Sequence, residues 1–341
     1  MSGLRVLSCG PTVSVQDLGR FGYLEQGLSP SGAADNLALY EAQALFCENT
    51  VTTAVEMAGF GGQFQADVDM TIALTGAPMQ ADIDGNSIQW TSTHLLKRGA
   101  LLTIGGTKSG VYGYLSCAHG FATKEVLGSR SVHLRSGVGR ALQAGDILPI
   151  TAPASDHTGR IMPSSQRYEG GEIRVMPTVQ TDLFNEGERK RFQETDFIRS
   201  ARANRMGVAF DFEGEGFATE NQLSILSEII TIGDIQMTGD GRPFVLLPEC
   251  QTTGGYPRIA TVIPADMPKL VQTPTGSKIR FKMVSRDAAM AAQAIFEAEI
   301  KALSKKVTRA VRDPRDIADL GSYQLISGAI SAHGADSIRG T

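Results

Sequence analysis

The sequence predicts a mainly β fold with a few helices, built from antiparallel barrels or sandwiches. Short runs rich in Val, Ile, Thr and Phe recur along the chain, punctuated by 38 glycines and 14 prolines. These runs are not regularly interleaved with helices of about ten to fifteen residues, which disfavours a parallel doubly wound sheet. The two halves of the chain also share a similar order of segments, which suggests two related barrels.

The predicted strands are short apolar segments bounded by turn residues. In chain order they are LRVLSC, MTIALTG, ALLTIGG, GYLSCA, EIRVMP, RPFVLLP, RIATVI and SKIRFKMV. Each half begins with such a strand, continues into a segment with Arg and Gly (QDLGRFG, ARANRMG) and ends with a glycine turn into a strand (AGDILPI, TGSKIRF). We therefore expect one barrel over residues 1–155 and a second over residues 170–305.

Helical periodicity is confined to two segments. The first covers residues 35–46, with Asp35 as a plausible N-cap. The second covers residues 287–305, where Asp287 can accept hydrogen bonds from amides of the first turn. The polar residues 153–171 are the expected linker between the halves, and residues 306–341 form a C-terminal tail whose packing the sequence leaves open.

Composition and charge exclude several classes of function. The 32 basic and 36 acidic residues give a net charge of -4, so no basic field favours nucleic acid. No segment is apolar enough for a bilayer span or a secretory leader, and we expect no membrane association. The four cysteines lie far apart without a C-x-x-C pair, which is typical of reduced thiols in the cytoplasm.

Familiar catalytic and cofactor motifs do not match. The segment IGGTKSG around Lys108 has the wrong spacing for a Walker A loop, and GFGGQF at Gly59 lacks the third glycine of the dinucleotide fingerprint. H-E-x-x-H and G-x-S-x-G are absent. Because the tetrapeptide Ala-Met-Lys-Met is also missing, we expect no covalent biotin on this chain.

Polar, glycine-containing clusters are the strongest functional signal. They are SVQDLGRFGY, SPSGAAD, AVEM, LTGAPM, LGSRS, ANRMG, GDIQM and QTTGGYP. One such cluster is a turn, but eight of them, several with a basic side chain, are typical of the lining of a site for a small polar or anionic molecule.

Three arginines and three acids are candidates for that site. Arg20, Arg130 and Arg205 could clamp a carboxylate or phosphate, or could each pair with a nearby acid to hold a loop. The candidate Mg²⁺ ligands or proton-transfer groups are Asp17, Asp35 and Glu56. For Asp35 the helix-cap interpretation is stronger. Glu56 lies in the apolar run TTAVEMAGF and should face a pocket or a basic partner.

Amides and hydroxyls supply further candidates. Gln16, Gln236 and Gln251 could recognise an amide or lactam, or could bridge backbone groups in tight loops. Ser31 precedes Gly32 and has no predicted base beside it, so we expect a binding or loop role. We also place Ser129, from LGSRS, among the binding residues.

The segment QTTGGYP combines flexible backbone with polar groups. Gly254 and Gly255 would let the backbone approach a ligand or partner closely, and Tyr256 would stiffen the loop. Thr252 and Thr253 add hydroxyls beside the glycines, which favours a binding role.

In their order along the chain, these motifs resemble the allophanate hydrolase subunit 2 family. This family is also described as KipA-like or as the C component of 5-oxoprolinase, and it is related to the carboxyltransferase region of urea carboxylase. The motifs that match are SVQDLGRFGY, SPSGAAD, ALTGA, LGSRS, NRMG, GDIQM and QTTGGYPRIATVIPADMP. The resemblance implies two cyclophilin-like β-barrel domains and two partners, a KipI-like B component and a LamB/YcsF-like A component.

The resemblance also implies a reaction. The complex would use ATP with Mg²⁺ to open the lactam of 5-oxoproline and release glutamate, since phosphorylating the carbonyl oxygen makes the ring carbon electrophilic. In this interpretation Asp17, Glu56 and Arg130 act in catalysis and the other candidates bind substrate or nucleotide. Two alternatives stay open: a carboxyltransferase lobe of a biotin-dependent, urea-type carboxylase, and a KipA-like regulator that binds a kinase inhibitor.

Overall fold

The computed structural model describes residues 2–152, 154, 157–219 and 224–310. Within these residues the chain forms a six-stranded sheet, a seven-stranded sheet, a closed seven-stranded barrel and a two-stranded ribbon, together with four α-helices. The predicted mainly β fold is confirmed. No helix in the described part of the chain is long and apolar enough to cross a bilayer.

The bounds of the elements follow chain order. The strands are β1 (Gly3–Cys9), β2 (Ser14–Gln16), β3 (Ala54–Ala58), β4 (Phe60–Ala66), β5 (Met70–Gly76), β6 (Met79–Ile83), β7 (Asn86–Ser87), β8 (Ser92–Leu96), β9 (Leu101–Thr107), β10 (Tyr112–Cys117), β11 (Ile147–Pro149), β12 (Arg160–Ile161), β13 (Gly171–Met176), β14 (Phe197–Asn204), β15 (Gly207–Asp211), β16 (Glu228–Ile229), β17 (Asp234–Met237), β18 (Pro243–Leu246), β19 (Thr253–Gly254), β20 (Arg258–Val262), β21 (Lys278–Met283) and β22 (Thr308–Arg309). The α-helices are α1 (Asn36–Phe46), α2 (Glu186–Glu194), α3 (Met267–Gln272) and α4 (Arg286–Lys301).

The first half of the chain encloses its apolar core between two sheets. Their strand orders are β11-β1-β4-β9-β6-β7 and β2-β3-β10-β5-β8-β12-β22, and the last strand of the second sheet, β22, comes from the end of the described chain. Phe64 and Leu102 enter the core from the first sheet, and Val55 and Leu74 enter it from the second. Helix α1 covers the outer face of β5, which explains why MTIALTG is buried along its whole length.

The second half forms the closed barrel β13-β20-β17-β18-β15-β14-β21. Its core is aromatic, and the rings of Phe192 and Phe281 stack with their centroids 5.1 Å apart. Strand β13 pairs in parallel with β21, which closes the barrel. Both halves belong to one compact unit that ends at Thr308, and the proposed boundary between two domains stays a prediction.

The segment expected as a linker is partly packed, since its residues Arg167 and Tyr168 are buried, and its place as a domain boundary stays a prediction. Two local predictions about helix caps need correction. Asp35 occupies the N-cap position of α1 but makes no capping hydrogen bond with its side chain. In α4 the cap is the hydroxyl of Ser285, which accepts from the amide of Ala288 at 3.2 Å, and not Asp287. Residues 311–341 of the predicted tail lie outside the described residues.

Candidate functional site

A cleft of about 470 Å³, the junction cleft, opens where the two halves of the chain meet. Glu56 on β3 and Tyr112 on β10 line it from the first half. Arg199 on β14, Arg205 in the turn between β14 and β15, and Glu249 line it from the second half. A concave site with convergent charged groups between two packed lobes is a common location for a small-molecule ligand.

Arg205 is saturated by partners from both halves. It forms buried ion pairs with Glu56 and Glu249, and its Nη2 also donates to the hydroxyl of Ser31 (3.1 Å) and the carbonyl of Gly32 (2.7 Å). Burial by itself lowers the pKa of this guanidinium, but the two carboxylates raise it overall. Arg205 therefore joins the halves as a permanent cation.

Both carboxylate oxygens of Glu56 also have partners. One oxygen pairs with Arg205, and the other accepts from the Ala34 amide and the Tyr114 hydroxyl, each at 2.8 Å. Burial and the charge of Glu56 raise the pKa of Tyr114 well above its ordinary value, so the phenol stays a donor. Glu56 faces both a pocket and a basic partner, as its position in an apolar run predicts. Its role in catalysis stays a prediction.

Arg199 also lines the junction cleft, but its guanidinium has few hydrogen-bond partners. Its side chain is 1% exposed, its Nη1 donates to the Thr273 carbonyl at 2.5 Å, and its Nε has no partner among the described residues. No carboxylate in the described chain forms an ion pair with it, and burial lowers the pKa of the guanidinium. A buried, unpaired cation is costly, and an anionic ligand in the cleft would compensate it.

Arg199 was not predicted from the sequence, although the spacing of residues along its strand indicates that it is buried. In FIRSARAN, Arg199 is two residues after Phe197, and residues at this spacing on a strand point to the same side. Phe197 faces the barrel core, so the arginine at this spacing is buried too. Glu249, also missed, follows the apolar run PFVLLP.

The carboxylate of Asp17 connects its own loop to the loop of residues 129–131 through hydrogen bonds. It accepts from the amides of Gly19 (2.8 Å) and Arg130 (2.7 Å) and from the hydroxyls of Ser129 (2.7 Å) and Ser131 (2.5 Å). Burial raises the pKa of Asp17, but the four hydrogen bonds outweigh it and the pKa is lowered overall. This environment holds Asp17 as an anion and leaves it poorly suited to accept a proton near neutral pH.

A second cleft, of about 640 Å³, lies beside these loops, and we call it the basic cleft. Three of the residues predicted for the site line it together, namely Arg20, Ser129 and Arg130. Arg20 donates from Nε to the Val126 carbonyl at 3.4 Å and from Nη2 to the Ser131 carbonyl.

Asp35 lies in neither cleft. It accepts from Arg167 Nε at 2.8 Å and from Gln272 Nε2 at 2.7 Å, and Arg167 also pairs with Glu41. Burial raises the pKa of Asp35, and the charge of Arg167 opposes this. Because Gln272 belongs to α3 and Asp35 precedes α1, the network ties the two halves together.

The remaining candidates lie elsewhere. Gln16 is buried and donates to the Ser14 hydroxyl (2.9 Å) and the Val132 carbonyl (3.2 Å). Gln236 and the loop from Gln251 to Tyr256 lie on the second half, where Thr253 and Gly254 pair with β16. None of them lines the junction cleft or the basic cleft. The structure thus distributes the predicted residues over several places.

The carboxylates of the described residues do not fit a magnesium ion. No group of three or more His, Cys, Asp and Glu side chains in the described ranges could hold a metal. The candidates Asp17, Asp35 and Glu56 already accept from N–H and O–H donors. The oxygens of Asp17 and Glu56 would have to leave these partners to bind a hard cation, and the one oxygen of Asp35 without a partner, Oδ1, is fully buried.

The fold and the two clefts define a two-part β protein with charged sites of small-molecule size. The family model of the carboxyltransferase domain, subdomain A and B, matches residues 26–283, and the chain belongs to this family.

Similar proteins agree with this assignment. The chain is 34% identical to the C component of 5-oxoprolinase from Haemophilus influenzae over 290 residues, which cover 82% of this chain and 91% of that protein. It is also 34% identical to the C component of 5-oxoprolinase from Escherichia coli over 295 residues, or 85% and 94% of the two chains. The crystal structure of the K. lactis urea amidolyase superposes with a TM-score of 0.80 at 25% identity. That match covers 92% of this chain but 21% of the larger protein.

Proposed function

We propose that this chain is the C component of an ATP-dependent 5-oxoprolinase, which opens a cyclic amide to give glutamate. The observation that supports it is similarity along nearly the full length of two 5-oxoprolinase C components. The urea amidolyase, in contrast, contains the matching region as about a fifth of a longer chain.

The junction cleft is the proposed substrate site. 5-Oxoproline has one carboxylate and a lactam. The guanidinium of Arg199, which lines the cleft and has no carboxylate partner among the described residues, could pair with that carboxylate. The saturated ion pairs of Arg205 hold the opposing wall in place, so the bound ring would meet a preorganised surface. Arg199 thus supplies affinity and orientation, while Arg205 supplies rigidity.

We propose that the nucleotide binds to the assembled complex through the partner components. ATP with Mg²⁺ would activate the lactam carbonyl, but the acids among the described residues do not fit the metal. We therefore assign the metal nucleotide to the KipI-like and LamB/YcsF-like components. The four unpaired cysteines agree with a proposed cytoplasmic location for this complex.

A partner surface is available on the second half. Tyr256 is exposed at the end of the loop that begins at Gln251, and Leu226 and Ile229 are exposed beside it. The Ile225 amide donates to the Gly255 carbonyl at 2.8 Å, so these apolar side chains and the loop belong to one patch. We propose that the KipI-like component covers this patch, because interfaces in stable complexes bury such apolar surface.

Reconstitution tests the proposal. The chain is mixed with the KipI-like and LamB/YcsF-like components, ATP, Mg²⁺ and 5-oxoproline, and glutamate is measured. The expected result is glutamate release that stops when this chain is omitted. A complete complex that binds 5-oxoproline but releases no glutamate would reject the proposal.

A carboxyltransferase role is the second candidate, favoured by the superposition on the K. lactis urea amidolyase. It predicts that the chain moves a carboxyl group between free carboxybiotin and urea, which a radiolabelled carboxyl group would reveal. A purely regulatory KipA-like binder would instead associate tightly with the KipI-like component and turn over neither substrate.

A further inference from the structure

The basic cleft has an excess of positive charge. Its lining includes Arg20, Lys124, Arg130 and Arg140 against one carboxylate, Asp146. Asp146 is occupied by Arg140, with two oxygen–nitrogen distances of 2.6 and 2.8 Å. Three cations therefore face the cleft without a carboxylate from its lining.

Carboxylates outside the lining offset part of this excess without cancelling it. Asp17, which accepts from the Ser129 hydroxyl and the Arg130 amide, and the buried Glu249 act on the charge of Arg20. Glu125 approaches Nη2 of Arg130 at 3.5 Å, but its side chain is 55% exposed. An exposed ion pair of this kind is weak, because water screens it and both side chains are mobile. Arg130 therefore keeps positive charge available for a ligand in the cleft.

Two buried polar atoms of the lining have no hydrogen-bond partner in the described residues. One is Nη1 of Arg20, whose side chain is 2% exposed, and the other is the hydroxyl of Thr123. Buried polar groups in folded proteins are nearly always paired, so each unpaired atom indicates a missing partner. Both atoms are hydrogen-bond donors on residues that line the basic cleft.

The surrounding hydrogen bonds hold these donors in position. Arg20 is fixed through its Nε and Nη2, and Nη1 of Arg130 donates to the carbonyl of Thr123. Asp17 in turn holds the backbone of Arg130 at 2.7 Å. A site whose donors are already fixed loses little conformational freedom when a ligand binds.

We propose that the basic cleft is a binding site for a phosphate group, either free or as part of a phosphate ester. A doubly charged tetrahedral anion matches three cations and donors from guanidinium, hydroxyl and ammonium groups better than a singly charged carboxylate does. The cleft lies apart from the junction cleft, and the inference does not rest on the proposed reaction.

Calorimetric titration with inorganic phosphate tests the proposal on the full chain. We expect binding to the wild type, and weakening of about tenfold or more in Lys124→Gln and Thr123→Val, since each removes a donor to a charged group. The control Lys97→Gln removes an exposed lysine outside the cleft and should bind phosphate as the wild type does. Titration with AMP shows whether an ester binds more tightly than free phosphate, and both outcomes support the site.

Thr123→Val separates ligand binding from a structural role. Without phosphate this variant should unfold at the same or a higher temperature than the wild type, because an unpaired buried hydroxyl is removed. With phosphate its stabilisation should be smaller than that of the wild type. Equal phosphate affinity in the wild type and in both cleft variants would overturn the proposal, as would acetate binding as tightly as phosphate.

Discussion

Arg205 and Arg199 are both buried and line the same cleft, but they differ in their hydrogen-bond and ionic partners. Arg205 has two carboxylates, a hydroxyl and a carbonyl around it, whereas Arg199 has one carbonyl and an unpaired Nε. A saturated buried arginine stabilises the structure around it, and an unsaturated one retains donors for a ligand. Burial alone therefore does not distinguish a structural arginine from a candidate ligand-binding one, whereas the hydrogen bonds of the two arginines differ.

The largest effect is expected from removing the saturated arginine. Arg205→Met leaves Glu56 and Glu249 buried without the arginine that they share, and we expect it to lower the free energy of unfolding by about 3–5 kcal/mol. Urea denaturation measures this. The control Arg202→Gln breaks an exposed ion pair with Asp211 and should change the free energy by less than about 1 kcal/mol. Equal losses in the two variants would contradict the contrast between the two arginines.

Asp17 resembles Arg205 in being saturated, and its loss should have an intermediate effect. We expect Asp17→Asn to lower the free energy of unfolding by about 1–3 kcal/mol at neutral pH, because hydrogen bonds to a charged group are lost. The folded pKa of Asp17 is lowered, so its contribution is complete above the unfolded pKa of about 4 and is lost as the pH falls through the folded pKa. Denaturation at neutral and acidic pH should therefore show the difference between wild type and variant shrinking in acid. A difference that stays constant with pH would count against this assignment.

Arg199→Met should have a small effect on folding and a large one on function. The lost hydrogen bond to Thr273 is offset by removal of an unpaired buried charge, so the free energy of unfolding should change by less than about 1 kcal/mol. Glutamate release by the reconstituted complex should fall by about a hundredfold, from loss of a charged contact to substrate. Strong destabilisation of this variant would show that Arg199, like Arg205, mainly stabilises the fold.

The smallest effect on folding is expected at the exposed loop. Tyr256→Ala should change the free energy of unfolding by less than about 0.5 kcal/mol, because the side chain is exposed. It should nevertheless weaken association with the KipI-like component, which sedimentation of the mixed proteins measures. Unchanged association would remove this loop from the proposed interface.

The fold could be predicted because its signals are local. The runs LRVLSC and MTIALTG became β1 and β5, and the periodicity of residues 35–46 became α1. Helix α2 escaped prediction because EGERKRFQE has almost no apolar residues to show a period, and it buries only Phe192.

The site could be predicted less completely because it depends on contacts between distant residues. Arg205 and Glu56 are 149 positions apart, and Asp35 and Gln272 are 237 apart. Residue types at such separations indicate polar groups but do not show which of them saturate each other. Only the coordinates distinguish Asp17, which four donors occupy, from Arg199, which lacks an ionic partner among the described residues.

Calorimetric titration of the assembled complex with 5-oxoproline tests the central distinction most directly, when the wild type is compared with Arg199→Met at equal folded fraction. We predict that the variant binds 5-oxoproline at least about tenfold more weakly, since it loses a charged hydrogen bond to the carboxylate. Equal affinity in the two complexes would contradict the assignment of Arg199 as the residue that binds the ligand.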